Sequence, residues 1–391
     1  MKKLVCLLLT LCLALSLTLA AANAEPIAKD QLKVGYIMVG DENEGYTQSH
    51  ITGLKAAAAA LGLSDEQVVI KYNIGEGEDA FDAAADLADS GCQIVFSNSF
   101  GHESYMVQAA KEYPNVQFCP ATGVQAAGCG LDNVHNYFTK IHEGRFLAGV
   151  VAGLKLNQMI DEGKITAEEA KIGYVGAKPY AEIISGFTAF YLGARYICPS
   201  ATMEVKYTQE WADLALEKEA AEALIADKCV LISQHADTVG ASTACEAAGV
   251  PIVGYNISMI PTAPTTALVS PTNNWEVYIE YALNCMINGE TIPADWCAGF
   301  EADAVRLTEL NEAAVAPGTA EKVEELKKMI GDGTLQVFDT TTFTVDGQPL
   351  TSVTDVYGYE GHEMIADGAF QEGVLRSAPC FEKIIDGITV I

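Results

Sequence analysis

The sequence predicts an α/β protein of two doubly wound parallel-sheet lobes, and three observations carry that prediction. Short β-branched apolar runs alternate with helix-period runs up to about residue 120, the order that buries a parallel sheet between helices. The same grammar restarts at Lys171. Between the two halves lies His142–Leu154, HEGRFLAGVVAGL, which as a helix sets Phe146, Val150 and Leu154 on one apolar stripe. Ala148, Gly149, Ala152 and Gly153 keep its remaining surface low, so that another backbone can approach closely. A helix of this kind joins two bodies and opens the second.

In the first half, Lys33–Val39, Gln67–Tyr72, Ile94–Phe96 and Val116–Cys119 read as strands, with Tyr46–Leu61, Asp79–Asp89 and Ser104–Tyr113 as the helices between them. In the second half the strands are Lys171–Val175, Thr202–Tyr207, Cys229–Ile232 and Pro251–Tyr255, and the helices are Ala181–Leu192, Ala212–Ala226 and Val239–Ala248. Pro261, Pro264 and Pro271 then break the pattern ahead of a helix-like run from Trp275 to Ile287. The chain is expected to return there to the first lobe, adding a strand near Ala267–Ser270 and that helix. Beyond Gly289 come a helix at Ala320–Ile330 and hairpin material, Thr340–Val345 turning at Asp346-Gly347. The expected division is residues 25–138 with 266–290 in one lobe and 139–265 with 291–391 in the other. Three crossings, near Asn136–Thr139, Pro264–Thr266 and Gly289–Ile292, would form the hinge.

Met1-Lys2-Lys3, an apolar run from Leu4 to Leu19 and Ala22-Asn23-Ala24 have the layout of a secretory leader cleaved after Ala24. An exported protein, periplasmic or cell-surface, is expected; an uncleaved anchor is the alternative. Cys6 and Cys12 lack the small preceding residue of a lipoprotein cleavage site. With 52 acidic against 23 basic residues and a net charge of -29, nucleic acid and anionic lipid are poor partners. Of eleven cysteines, the nine outside the leader are dispersed without a C-x-x-C pair, so buried thiols are expected rather than a disulfide framework or a zinc site. A Cys119–Cys129 bridge stays open.

Gly75-Glu76-Gly77-Glu78-Asp79-Ala80 fits a dinucleotide fingerprint in spacing, but its three acids would repel a pyrophosphate. It reads as an acidic helix start. No nucleophile elbow, H-E-x-x-H or Walker loop is present, so neither an enzyme nor a cofactor or metal is expected. What stands at the strand ends is the equipment of a binding crevice. Asp41, Asn43, Tyr46 and Gln48 follow the first strand, and Ser97-Asn98-Ser99-Phe100 the third. Tyr180, Glu182 and Phe187 follow Val175, and Ser233-Gln234-His235-Ala236-Asp237 the Cys229–Ile232 strand. Asn256 and Ser258 follow the last, and Trp275 lies past the crossover. Flat aromatic faces with amide and carboxylate partners suit a planar, polar-edged small molecule, although caps and core packing use the same residue types.

The run HEGRFLAGVVAG, with Tyr137-Phe138 before it and Ile172-Gly173-Tyr174-Val175-Gly176 after it, resembles the basic membrane protein family, the purine-nucleoside-receptor-like substrate-binding proteins of ABC transporters. IVFSNSFG, GFTAFYLGAR, QHADT and VGYN support the likeness in the same order, over roughly Lys33 to Ile287. The resemblance implies a type I periplasmic binding protein fold and a purine nucleoside or nucleobase ligand handed to an ABC permease. It implies Asp41 as the acid of the first loop, Tyr46 as the ring that stacks on the purine, and Gln48 beside it. It matches Phe100 to a strand-end phenylalanine, His235-Ala236-Asp237 to a His-x-Asp run, and Phe187 or Phe190 to a second-lobe aromatic. Acids common in nucleoside-reading relatives are replaced by Asn256 and Ser258, and a common lysine by Asn273 or Asn274 beside Trp275. Those replacements weaken the sugar half of the reading, and the tail after Thr340 fits the family poorly. The ligand-binding set is thus Asp41, Tyr46, Gln48, Asn98, Phe100, Tyr180, Phe187, Asp237, Asn256 and Trp275, in a protein expected to be monomeric. Rival readings are a ligand-sensing receptor for a membrane signalling partner, a binder of riboflavin or a sugar, and an exported nucleoside-cleaving enzyme.

Overall fold

A computed structural model of the chain describes residues 25–391; the expected leader, residues 1–24, lies outside the described residues. Strand β1 (Val34–Ile37) sits inside a parallel sheet with β2 (Val68–Lys71), β3 (Ile94–Ser97) and β4 (Gln117–Pro120), in the order β2-β1-β3-β4. Alternate residues of the buried strands serve opposite faces, as the two-residue repeat dictates. Val34, Tyr36, Ile94 and Phe96 pack under α1 (Gly45–Leu61), while Ile37 and Val95 pack under α2 (Glu78–Asp89) and α3 (Glu103–Glu112). The sheet is continued past β4 by β5 (Asn136–Thr139), through bridges at Phe118–Val134 and Ala121–Tyr137.

Helix α4 (Ile141–Asp161) begins two residues after β5 and opens the second lobe. Every residue from Ile141 to Gly153 is buried, so it is not a striped surface helix but is enclosed on all sides. Its small residues meet α5 (Ala181–Ile197): Gly149 faces the Phe190 carbonyl, Gly153 the Ala194 carbonyl, and Gly193 of α5 faces the Phe146 backbone, each too closely to leave room for a Cβ. The second sheet is parallel too: β6 (Lys171–Gly176), β7 (Thr202–Tyr207), β8 (Leu231–His235) and β9 (Ile252–Val253), with α6 (Leu214–Ala226) and α7 (Gly240–Ala248) opposite α4 and α5.

The return to the first lobe comes later than the prolines suggest. Ala267 pairs with Ile252, and Val269 accepts a hydrogen bond from Gly254 N–H, so the Ala267–Ser270 stretch extends the second sheet instead of the first. A two-residue β9 leaves backbone groups that this stretch satisfies. The chain crosses at β10 (Pro271–Asn273) and enters α8 (Trp275–Asn288), which packs on α1. Gly289, in the left-handed region at φ 69°, ends α8 as an ordinary turn within that lobe, not a crossing. Strand β11 (Asp295–Ala298) then pairs in parallel with β5, and β12 (Val305–Leu307) pairs antiparallel with β10. The three connections therefore lie side by side at Thr139–Lys140, Asn273–Asn274 and Gly299–Ala304. Thr139 Oγ1 donates to Asn273 Oδ1 and Asn274 N–H to the Ala304 carbonyl across them.

After α9 (Thr319–Gly331), the tail forms two small hairpins, β13 (Thr344–Val345) with β14 (Gln348–Pro349) and β15 (Ile365–Ala366) with β16 (Ala369–Phe370). It closes with β17 (Ile388–Val390), a parallel edge strand on β7. Phe338, Phe343, Phe370 and Phe381 bury the tail against the α4–α5 layer; Phe338 and Phe381 stack at 4.7 Å. All nine described cysteines are free thiols, Cys119 and Cys129 included. Among the described residues, no helix is long and apolar enough to cross a membrane.

Candidate ligand cleft

The carboxyl ends of β1 and β3 face those of β6 and β8, the usual ligand position on open α/β sheets. The cavity between them is lined from the first lobe by Val39, Glu44, Tyr46, Asn98 and Phe100. From the second lobe come Glu182, Trp211, His235, Asp237 and Tyr255. The lobes touch here: Gly45 N–H donates to the Asp237 carbonyl at 2.9 Å, an approach that a side chain at residue 45 would crowd.

Glu44 organises the first-lobe wall. Its carboxylate caps α1, accepting from Tyr46 N–H at 2.8 Å and Thr47 N–H at 3.1 Å. Burial nonetheless pushes its pKa up. Asn98 holds the adjoining loop, accepting from Val39 N–H at 2.8 Å and donating to Thr47 Oγ1 at 3.1 Å. Tyr46 is braced edge-on by His50 at 4.6 Å and Trp275 at 6.0 Å, and its buried hydroxyl has no partner among the described residues.

The second-lobe wall is built on Arg145, the one cation of the glycine-rich α4 run. Its guanidinium is fully buried, lies 3.6 Å from the centre of the Tyr255 ring, and donates to the Gln234 carbonyl at 2.8 Å. Nε and Nη2 have no partner among the described residues. Around it stand two carboxyl groups and an imidazole. Burial raises Glu182 to about 7, an effect Arg145 partly offsets. Burial, then the charges of Glu44, Glu217 and Glu182, push Asp237 well above the usual carboxylate range. Burial and Arg145 hold His235 neutral; neither ring nitrogen is hydrogen-bonded among the described residues, and Nε2 lies 3.6 Å from Glu182 Oε1. Asn256, in the left-handed region at φ 62°, donates from Nδ2 to Asp237 Oδ1 at 3.3 Å and leaves its own Oδ1 free.

Of the ten residues expected to bind ligand, the structure brings Tyr46, Asn98, Phe100 and Asp237 onto the cavity wall, with Asn256 directly behind Asp237. Tyr180 stands at the mouth, 6.3 Å from Phe100 and 5.9 Å from Trp211. The other four are elsewhere. Trp275 is core: it stacks on His50 at 4.0 Å and donates Nε1–H to Ser49 Oγ at 2.9 Å, in the space that Gly53 leaves. Phe187 is fully buried edge-on to Tyr174, and Phe190 packs on the same ring. Asp41 turns back onto its own loop, where hydrogen bonds from Asn43 hold its carboxyl below the usual range. Gln48 lies on α1 off the cavity wall. Their places are taken by Glu44, Trp211 and Tyr255. The signals available for these were an acid directly ahead of a helix and aromatics just past strand ends; for Arg145 it was a guanidinium at the start of a small-residue helix run. At the acidic helix start, Glu76 accepts from Ser99 Oγ and Gly101 N–H, and Asp79 from Gly75 N–H, so the loop is closed by its own carboxylates.

Two parallel-sheet lobes, three adjacent connections and a cleft at the strand ends are an architecture shared with solved solute-binding proteins of ABC transporters. Solved structures of such proteins align over 78% of this chain. One from Conexibacter woesei has TM-score 0.63 and 20% identity with 98% of its chain covered. One from Aeropyrum pernix has TM-score 0.65 and 17% identity with 93% covered. Residues 32–337 match the family model for PnrA-like ABC transporter substrate-binding proteins, Bmp, and the chain belongs to that family. It is a substrate-binding protein, not an enzyme. A purine-binding protein of Brucella abortus is 29% identical over 82% of this chain and 87% of its own. A putative ABC transporter glucose-binding protein of Haloferax volcanii is 31% identical over 57% of this chain and 53% of its own.

Proposed function

We propose that this is an exported receptor that closes on a purine nucleoside or nucleobase and hands it to an ABC importer. One observation carries the ligand class: aromatic rings from both lobes, Tyr46 against Trp211 and Tyr255, flank buried phenol, imidazole and amide groups of Tyr46, His235 and Asn256 whose hydrogen-bonding capacity the protein leaves unspent. Burying such groups is costly unless a ligand completes them, and a purine brings donors and acceptors around a flat ring. Closure turns the lobes about the three connections at Thr139, Asn273 and Gly299–Ala304. The purine-binding relative supports this ligand over the sugar of the archaeal one.

Isothermal titration and thermal shift with purine nucleosides, their bases, riboflavin and glucose test the reading. A ligand that binds only the folded form at 100 times its Kd adds about 2.7 kcal/mol of stability, so the true ligand raises the unfolding temperature clearly. A shift with glucose and none with any purine overturns the purine assignment.

A further inference from the structure

The tail after Val337 lies outside the family match, yet it reaches the ligand cleft. A second cavity of about 250 Å³ opens at the cleft mouth and shares Phe100, Thr122 and Glu182 with the first. One wall is Phe100, from the first lobe; a second is Tyr180 and Glu182, from the second lobe; the third is Tyr357, Arg376 and Glu382, from the tail.

The tail is fixed there by buried polar contacts. Glu372, itself buried, accepts from Ser185 Oγ on α5, from Cys380 N–H at 2.9 Å and from Phe381 N–H at 3.1 Å. Ser377 N–H donates to Asp295 Oδ1 of β11 at 3.0 Å, so the segment is tied to both lobes beside the connections. Arg376 pins the wall from inside, donating to the carbonyls of Tyr357 at 2.8 Å, Ala378 at 3.1 Å and Pro379 at 3.1 Å.

We infer that the C-terminal segment builds a second chamber of the binding site, which takes the neutral, hydroxylated ring attached to a purine held in the inner cavity. The chemistry of the walls selects that substituent. Phe100, Tyr180 and Tyr357 offer flat faces for the C–H side of a sugar ring, and the Glu182 and Glu382 carboxyl groups offer acceptors for its hydroxyls. A phosphate is disfavoured, because the Glu182 and Glu382 carboxyl groups stand in the same walls and three of the five N–H donors of Arg376 already serve backbone carbonyls. The inner cavity then decides for the base and the tail decides for the sugar.

This inference rests on the purine reading, and its test separates the two. Titrations of the full chain compare adenosine with adenine, guanosine with guanine and inosine with hypoxanthine, in the native protein and in Tyr357→Ala and Glu382→Gln. Tyr357 and Glu382 are exposed, so neither change opens the core. The native protein should bind a nucleoside at least about tenfold more tightly than its base, and each variant should narrow that gap while base affinity holds. Equal affinity for base and nucleoside overturns the second chamber and leaves the purine site standing. So does a gap that neither variant narrows, or a loss shared equally by base and nucleoside. Failure of every purine to bind overturns both readings.

Discussion

In the sequence Tyr46 stands as the ring that stacks on the purine and Phe187 or Phe190 as the second-lobe aromatic, and their surroundings now separate them. Tyr46 lines the cavity while Phe187 is sealed under Tyr174, so Tyr46→Ala should weaken purine binding on the order of tenfold and Phe187→Leu should leave it unchanged. Trp211→Ala should match Tyr46→Ala, since its ring lies across the cavity. Titration calorimetry checks all three, and a full effect from Phe187→Leu alone would reassign the stack. Glu182 carries a second prediction at this scale. Burial raises its pKa in the folded protein from the ordinary 4.5 to about 7, so its neutral form is favoured by folding. The stability it contributes is complete below about pH 4.5 and is lost as pH climbs through 7. Denaturant titrations of ligand-free protein across that window should show a shallower fall with pH for Glu182→Gln than for the native chain. An unchanged slope would mean that Glu182 is solvated and ionised throughout.

The elements themselves were legible because their signals are local. β-Branched runs and helical spacing place most helices and strands within two or three residues, and the low surface of HEGRFLAGVVAG anticipates its close partner. The site was legible only in part, because its signals are not local. Pro271-Thr272-Asn273 has no strand signature and becomes β10 only by pairing with Arg306 and its neighbours, more than thirty residues on. The His235 ring reaches its place beside Arg145 only because α5 presents Gly186 there, where a Cβ would meet the ring. Trp275 reads like a ligand platform until α1 is seen to hold it. The α4–α5 contact also yields a prediction proper to elements. Gly149→Ala places a methyl against the Phe190 carbonyl, a rigid backbone atom, so the helices must separate, at a cost of roughly 1–3 kcal/mol. Chemical denaturation should show that loss, whereas Gly163→Ala, in open space, should cost only what its φ of 68° imposes.

For the molecule as a whole, charge sets what the cleft admits. The chain carries a net charge of -29, and its cavity gathers Glu44, Glu182 and Asp237 around a single buried guanidinium. A ligand bearing a phosphate must bring about two negative charges into a site where water screens poorly and where burial already favours the neutral forms of Glu182 and Asp237. Adenosine should therefore bind on the order of 100-fold more tightly than adenosine 5′-monophosphate at low ionic strength. The part of that difference due to distant charges should shrink as salt rises, because the screening length falls from about 10 Å at 0.1 M to about 3 Å at 1 M. The part due to burying the phosphate's own charge should persist. Parallel titrations of the two ligands at both salt concentrations measure each share. A monophosphate that binds as well as the nucleoside at low salt would show that the net charge of the chain does not set what the cleft admits.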